Sequence, residues 1–294
     1  ADSIAQVGSI TITSMVERAV MSRLELKAQE VLLILKANKG DWEQTTYQWF
    51  MQHMGFKKNA EAMRRLAFLI PLSVIRKVHR GIDQLEALLF GVSGFLNTEE
   101  EDDYNQRLQN EYTYLKQKFS LQNEMSIVEW KYLRLRPANF PTLRIAQVAQ
   151  ILHKSPNLFS MLTEIEDVKM IREHFSVHQS EYWRLHYQFG KPSERSIPSL
   201  GKGSIDNLLI NVCATILVAY GKTVNDQTYV DRALDLLSSV KAEVNSVTRE
   251  WISLGQSLKT AVDSQGFLGL YKLYCQPRQC LNCGIGVSIL DQTS

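Results

Sequence analysis

Along this 294-residue chain, apolar positions recur three and four residues apart through most of the sequence, which is the period of a helix; the alternating runs that strands need are scarce. Val16, Val20, Leu24, Leu26, Val31, Leu32 and Leu35 trace one long amphipathic helix that ends before Gly40. Further helices are expected near residues 42–54, 59–69, 72–91, 101–118, 141–153, 204–220, 226–239, 246–254 and 258–275. Start signals accompany several of them. Asp41 precedes Trp42-Glu43-Gln44, with Gln44 at the reciprocal position of a capping box, and Asn59 precedes Ala60-Glu61-Ala62. Ser155-Pro156 offers a cap followed by a proline, whose missing N–H costs a first helical turn nothing. Gly40, Gly91 and Gly221 stand where helices are expected to stop.

The expected fold class is all-α, an irregular multi-helix array. A chain of this length exceeds the size at which one core stops growing, so two packed helical lobes are expected, residues 1–120 and residues 121–294. No regular repeat of the helical-solenoid kind is visible. The acidic run from Glu99 to Asp103 suits a helix N-terminus, and the Gly-, Pro- and Ser-rich stretch from Phe189 to Gly203 is expected to be a mobile loop.

Composition narrows the function classes more than it names one. A net charge of +2 is too small to argue for nucleic acid or an anionic membrane, so local clustering has to decide. Charged or polar side chains interrupt every apolar run, so no membrane span is expected. The start, Ala1-Asp2-Ser3, lacks a secretory leader and an initiator Met, which suggests processing or a preceding segment. Three of the four cysteines fall within nine positions, unlike the distributed framework of a secreted disulfide protein, and a reducing, cytoplasmic setting is expected.

Those three, Cys275, Cys280 and Cys283, are the candidate metal ligands. Cysteines in a tight turn can converge on one soft metal, zinc or an iron–sulfur cluster, but three ligands are one short. The fourth would be His174, His178, His186, Cys213 or a residue outside this chain; the alternative is a group of reduced thiols packing a C-terminal turn. Two basic stretches are candidate phosphate or nucleic-acid contacts. From Lys131 to Thr163 there is no acid, while Lys131, Arg134, Arg136, Arg144 and Lys154 are present, and Arg134, Arg136 and Arg144 carry forked donors suited to phosphate. Between Lys57 and Arg80, seven cations accompany one acid, Glu61. Whether the two stretches meet in space is not written in the sequence, and arginines beside Pro-rich turns also commonly satisfy buried carbonyls.

Tyr182-Trp183-Arg184-Leu185-His186-Tyr187 can stack a base or, more plainly, anchor a loop on a core. Polar residues in apolar surroundings, Gln84, Glu86, Asn211, Glu243, Asn245, Arg249, Asp263, Ser264 and Gln265, point to side-chain networks or to a ligand cavity. Glu25-Leu26-Lys27 and Glu129-Trp130-Lys131 have the Glu-x-Lys form of a restriction-type nuclease core but lack its paired strands, and Gly190-Lys191 lacks the spacing of a P-loop. No complete catalytic constellation is present.

On several of these segments the chain resembles an uncharacterised, domain-of-unknown-function family of mostly Bacteroidetes-type bacteria. The segments are Gly40-Asp41-Trp42-Glu43, the run from Gln84 to Gly91, the run from Arg134 to Pro141, Tyr182-Trp183 with His186-Tyr187 and Phe189-Gly190, Asp263-Ser264-Gln265, and the closing cysteines. The resemblance implies no reaction. It does imply an additional N-terminal segment similar to a PD-(D/E)XK nuclease core, so this chain would be the helical C-terminal portion and would partner a nuclease-like domain of the same protein. Some nucleases of that superfamily hold an iron–sulfur cluster on C-terminal cysteines. Two readings follow: the helical part of a nuclease-like protein that contacts nucleic acid, or a helical interaction scaffold without catalysis.

Overall fold

The structure, a computed structural model, describes residue 4, residues 6–97 and residues 102–291. Its helices in chain order are α1 (Ser9–Ala37), α2 (Trp42–Met54), α3 (Ala60–Leu69), α4 (Leu72–Val78), α5 (Ile82–Val92), α6 (Asp103–Lys118), α7 (Pro141–Lys154), α8 (Leu158–Glu164), α9 (Val168–Phe175), α10 (Lys202–Val224), α11 (Gln227–Ser239), α12 (Ser246–Ser253), α13 (Ala261–Leu270) and α14 (Gly284–Asp291). Among the described residues the only sheet is an antiparallel hairpin, β1 (His186–Gln188) with β2 (Lys191–Pro192). The fold is all-α, as the periodicity predicts. Ala1-Asp2-Ser3 and Glu99, Glu100 and Glu101 of the acidic run lie outside the described residues; Asp102 caps α6 by accepting from the Tyr104 N–H at 2.9 Å.

The chain divides into two compact units, residues 1–34 with 209–294, and residues 35–208. The boundaries fall inside α1 and α10, whereas the sequence suggested one division near residue 120. Loop composition cannot reveal such a division, because the first unit is assembled from segments far apart in the chain. Its core joins Val7, Met15, Val16 and Ala19 to Trp251, Phe267, Leu270, Cys283 and Ile285. Two glycines make that joining possible. A Cβ on Gly266 would lie 2.8 Å from the Val16 carbonyl oxygen, and one on Gly269 would lie 2.6 Å from that of Ala19, so α13 can lie directly against the α1 backbone. α10 contains a π turn at Leu209–Cys213, and a second π turn, Tyr271–Cys275, follows α13.

The second unit packs α2 on α3, and α5 between α6 and α7. Its centre is aromatic: Phe90 stacks on Trp183 at 4.8 Å, and Phe189 meets both edge-on, at 5.1 and 4.9 Å. The Trp183–Phe189 segment therefore anchors the β1–β2 hairpin to a core, which ties down the start of the stretch expected to be a mobile loop. Glu43 of α2 accepts from the backbone N–H groups of Phe159 and Ser160, at 3.1 and 3.0 Å, placing a carboxylate at the start of α8.

Several local expectations change. The helix expected over 72–91 is two helices, because Gly81 takes an extended conformation between α4 and α5. Gly91 and Gly221 do not stop helices; both lie inside them, and α10 ends at Asn225, in the left-handed conformation. Gln44 completes no capping box and instead accepts from the Leu72 N–H at 2.8 Å. Asn59 makes no cap on α3. The cap expected at Ser155 falls at Asn157, and α9, α14 and the hairpin were not foreseen. Among the described residues one helix, Lys202–Val224, is long and apolar enough to cross a membrane by length and composition, contrary to the expectation of none, and 67% of its apolar window is buried in the protein.

Candidate functional site

The two basic stretches meet in the second unit. α3 is preceded by a tight turn that requires Gly55, where a Cβ would lie 2.2 Å from the Asn59 carbonyl oxygen. Phe56 takes φ +49°, rare for a bulky residue, and the turn leaves Lys57 and Lys58 exposed. Asn59, freed from capping and almost fully buried, bonds the Lys131 backbone in both directions: its Nδ2 donates to the Lys131 carbonyl at 3.0 Å and its Oδ1 accepts from the Lys131 N–H at 2.8 Å. Farther along both segments, Arg65 pairs with Glu129 at 2.9 Å. Lys57, Lys58, Arg64 and Arg65 thereby share a surface with Lys131, Arg134 and Arg136, all of them exposed. Arg134 holds φ +60°, a left-handed turn that an arginine adopts only where its surroundings enforce it.

The three arginines singled out from the sequence separate in the structure. Arg134 and Arg136 are on the surface, whereas Arg144, on α7, is 5% exposed. Its Nη1 donates to Gln147 at 2.9 Å, its Nη2 to Asn139 at 2.5 Å and to Ser204 at 3.2 Å, and its guanidinium lies 4.4 Å above the Phe56 ring. None of these partners is an acid, the buried Nε has no partner, and burial pushes the group down to about 10. Three of its partners, Phe56, Asn139 and Ser204, line a cavity of about 340 Å³ together with Lys57, Lys58 and Asn207, with Gly55, Leu135 and Gly203 between them. No acidic side chain lines it; Asp206, one residue from Asn207, is ion-paired with Arg172.

The aromatic cluster behaves as an anchor. Tyr182 stacks between Tyr104 and His186, at 4.0 and 3.9 Å, and its hydroxyl donates to Asp102, which also accepts from the Gly190 N–H at 3.0 Å. His186 Nδ1 lies 2.9 Å from the Tyr182 carbonyl oxygen. Glu86 is fully buried beside this cluster and accepts from the Tyr104 and Ser180 hydroxyls. Burial pushes its carboxyl up to about 7, against the pull of those two hydrogen bonds toward the charged form.

The closing cysteines do not make a metal centre as placed. Cys275 and Cys280 are exposed, Cys283 is buried in the apolar cluster of the first unit, and all three are free thiols. Among the described residues no group of three or more His, Cys, Asp and Glu side chains is placed to hold a metal ion, so the set does not fit zinc or an iron–sulfur cluster. Of the candidates for a fourth ligand, Cys213 is fully buried in α10, His174 is buried with its Nε2 unpartnered, His178 is exposed and His186 is stacked on Tyr182.

One constellation escaped the sequence reading in part. In the first unit Arg23 and Lys27, one turn apart on α1, converge on Gln265: Arg23 Nε donates to its Oε1 at 2.7 Å and Lys27 Nζ at 3.5 Å. Lys27 also donates to Asn211 Oδ1 at 2.6 Å, and Gln265 Nε2 donates to Glu243. Burial, and after it the Arg23 charge, push the Lys27 amine down to about 7, while Glu243 pulls the other way. Asn211, Glu243 and Gln265 stand out in the sequence as polar residues in apolar surroundings. Arg23 and Lys27 do not, because they flank the apolar stripe of α1 at Leu24 and Ala28 as any solvated helix face would.

Comparison with curated proteins and with solved structures finds no match to this chain. A family model described as protein of unknown function (DUF2851) matches residues 1–246, a span that includes the basic face, the Arg144 cavity and all of the Lys27 constellation except Gln265, and the chain belongs to that family.

Proposed function

We propose that the face formed by residues 55–65 and 131–136 contacts nucleic acid through its phosphates, and that the chain serves as the helical part of a nuclease-like protein. The observation that carries this reading is the reciprocal hydrogen bonding of Asn59 with the Lys131 backbone, which makes one surface of two basic segments. Lys57, Lys58, Lys131, Arg134 and Arg136 have no acidic partner among the described residues, so their charge is available to a ligand. Phe68, 75% exposed one turn beyond Arg64 and Arg65, adds an aromatic surface of the kind on which bases stack. A helical scaffold without nucleic-acid contact would use this charge only for solvation.

Fluorescence anisotropy with single-stranded oligonucleotides over a salt series separates the two. The expected result is binding at low salt, with the logarithmic salt slope falling by about 0.7 for each phosphate that Arg134→Glu or Arg136→Glu releases. No binding at low salt, or a slope unchanged by both substitutions, overturns the reading in favour of the scaffold.

A further inference from the structure

We propose that the cavity in front of Arg144 takes a phosphate monoester, the terminal phosphate of a nucleic-acid strand lying on the basic face. The proposal rests on the nucleic-acid reading for the source of the phosphate; the chemistry of the cavity is independent of it.

Arg144 lies behind the lining, tied to it through Asn139, Ser204 and the Phe56 ring. Its charge is buried with neutral partners only, and no carboxylate lines the space in front of it. A buried guanidinium whose charge nothing balances keeps a positive potential in its immediate surroundings, where the dielectric is low. Lys57 and Lys58 add two exposed cations at the rim, making three positive charges and no negative one around this space. A monoester carries about 1.5 to 2 negative charges near neutral pH and so suits that surplus better than the single charge of an internal diester.

The hydrogen bonding gives the cavity a direction. Arg144 Nη2 occupies the oxygens of both Asn139 and Ser204, two residues of the lining. With those oxygens serving as acceptors, Asn139 retains its amide N–H groups and Ser204 its O–H as donors for a ligand. One buried arginine thus sets two neutral side chains to donate, which is what phosphate oxygens require. Size acts in the same sense. A volume of about 340 Å³ is at the small end of ligand sites, room for a phosphate and part of a sugar but not for a duplex. The mouth is open at Gly203, where an added Cβ would meet nothing within 4 Å. Strained backbone at Phe56, whose ring supports the guanidinium, and at Arg134, next to the lining residue Leu135, marks both walls.

The test uses the full chain and one single-stranded oligonucleotide of about 12 nucleotides, a length within single-strand site sizes, prepared with a 5′-phosphate, a 3′-phosphate or hydroxyls at both ends. The expected result is ~10-fold tighter binding of one phosphorylated form than of the hydroxyl form. Ser204→Ala, in the lining and off the basic face, should reduce that preference to about twofold or less while leaving hydroxyl-ended binding nearly unchanged. Arg134→Glu and Arg136→Glu should weaken all three oligonucleotides alike. Equal affinity for all three ends overturns the cavity assignment and leaves the basic-face reading intact. Calorimetric titration with inorganic phosphate and with a nucleoside monophosphate covers the other source. If these bind in a way sensitive to Ser204→Ala and no oligonucleotide binds, the strand-end assignment and the nucleic-acid reading both fall.

Discussion

Lys27 in the first unit and Glu86 in the second have opposite charges and reach the same result: burial drives each toward its neutral form, and each titrates at about 7. Their surroundings explain how each is tolerated. Lys27 faces amide oxygens, which accept from an amine in either protonation state. Glu86 faces two hydroxyls, which donate to a carboxylate and can also accept from a carboxylic acid. The difference lies in the sign of the pH dependence. Lys27 is lowered from 10.5, so between about 7 and 10.5 the unfolded chain holds a proton that the folded chain has released; stability rises with pH across that window, and the full cost is present below it. Glu86 is raised from 4.5, so between 4.5 and about 7 the folded chain holds the extra proton; its contribution is fully present below 4.5 and lost as pH rises through about 7. Near neutrality both costs are present together.

Removing the amine is the strongest way to break the comparison. In Lys27→Met the rise in stability from pH ~7 to pH ~10 should disappear, so that the difference between wild type and variant changes by on the order of 4 kcal/mol over that range in urea unfolding. Parallel pH profiles would show that the amine is not held neutral. Glu86→Gln should act in the opposite direction, abolishing the loss of stability between pH ~4.5 and ~7 and leaving the variant on the order of 3 kcal/mol more stable than wild type at pH ~8. A variant less stable than wild type at that pH would mean the two hydroxyls need a carboxylate. A smaller effect sharpens the picture at Lys27. Asn211→Ala removes the 2.6 Å acceptor that favours the charged amine and should lower its midpoint by about one further unit, read by NMR of the labelled lysine. No shift would mean that the Asn211 oxygen does not distinguish the charged amine from the neutral one.

The smallest change concerns Asp102, a carboxylate that also accepts from a tyrosine hydroxyl but stays accessible. Tyr182 and the Gly190 N–H hold its carboxyl below the usual range, and these hydrogen bonds outweigh the burial that works the other way. Asp102→Asn should speed hydrogen exchange at Gly190 by about threefold to fivefold without altering global stability measurably. Unchanged exchange would mean that the aromatic stack alone holds the hairpin.

Much of the helix content was legible because periodicity is a local property. The bounds of α2, α3, α6, α7 and α11 fall within two residues of those read from spacing and caps. Two of the misreadings share a cause. Asn59 and Gln44 carry the residue types of a cap yet spend their side chains on distant backbone, at Lys131 and Leu72, because a long-range bond was available to each. The candidate site was legible as residue types and not as an arrangement: the basic stretches were visible, but not that Arg144 turns inward while Arg134 and Arg136 turn out.

By itself the sequence determined the fold class, most helix positions, and the polar and basic residues from which a site can be built, since each is set by propensity and spacing among near neighbours. Tertiary structure alone decided the rest. It drew the unit boundaries inside two helices, brought Lys27 to Asn211 and Gln265, joined residues 59 and 131, and put a charge with no acidic partner behind a small cavity. Those outcomes depend on which distant backbones approach closely enough to exclude water, as Gly266 and Gly269 permit on α1, and a one-dimensional pattern does not carry that information.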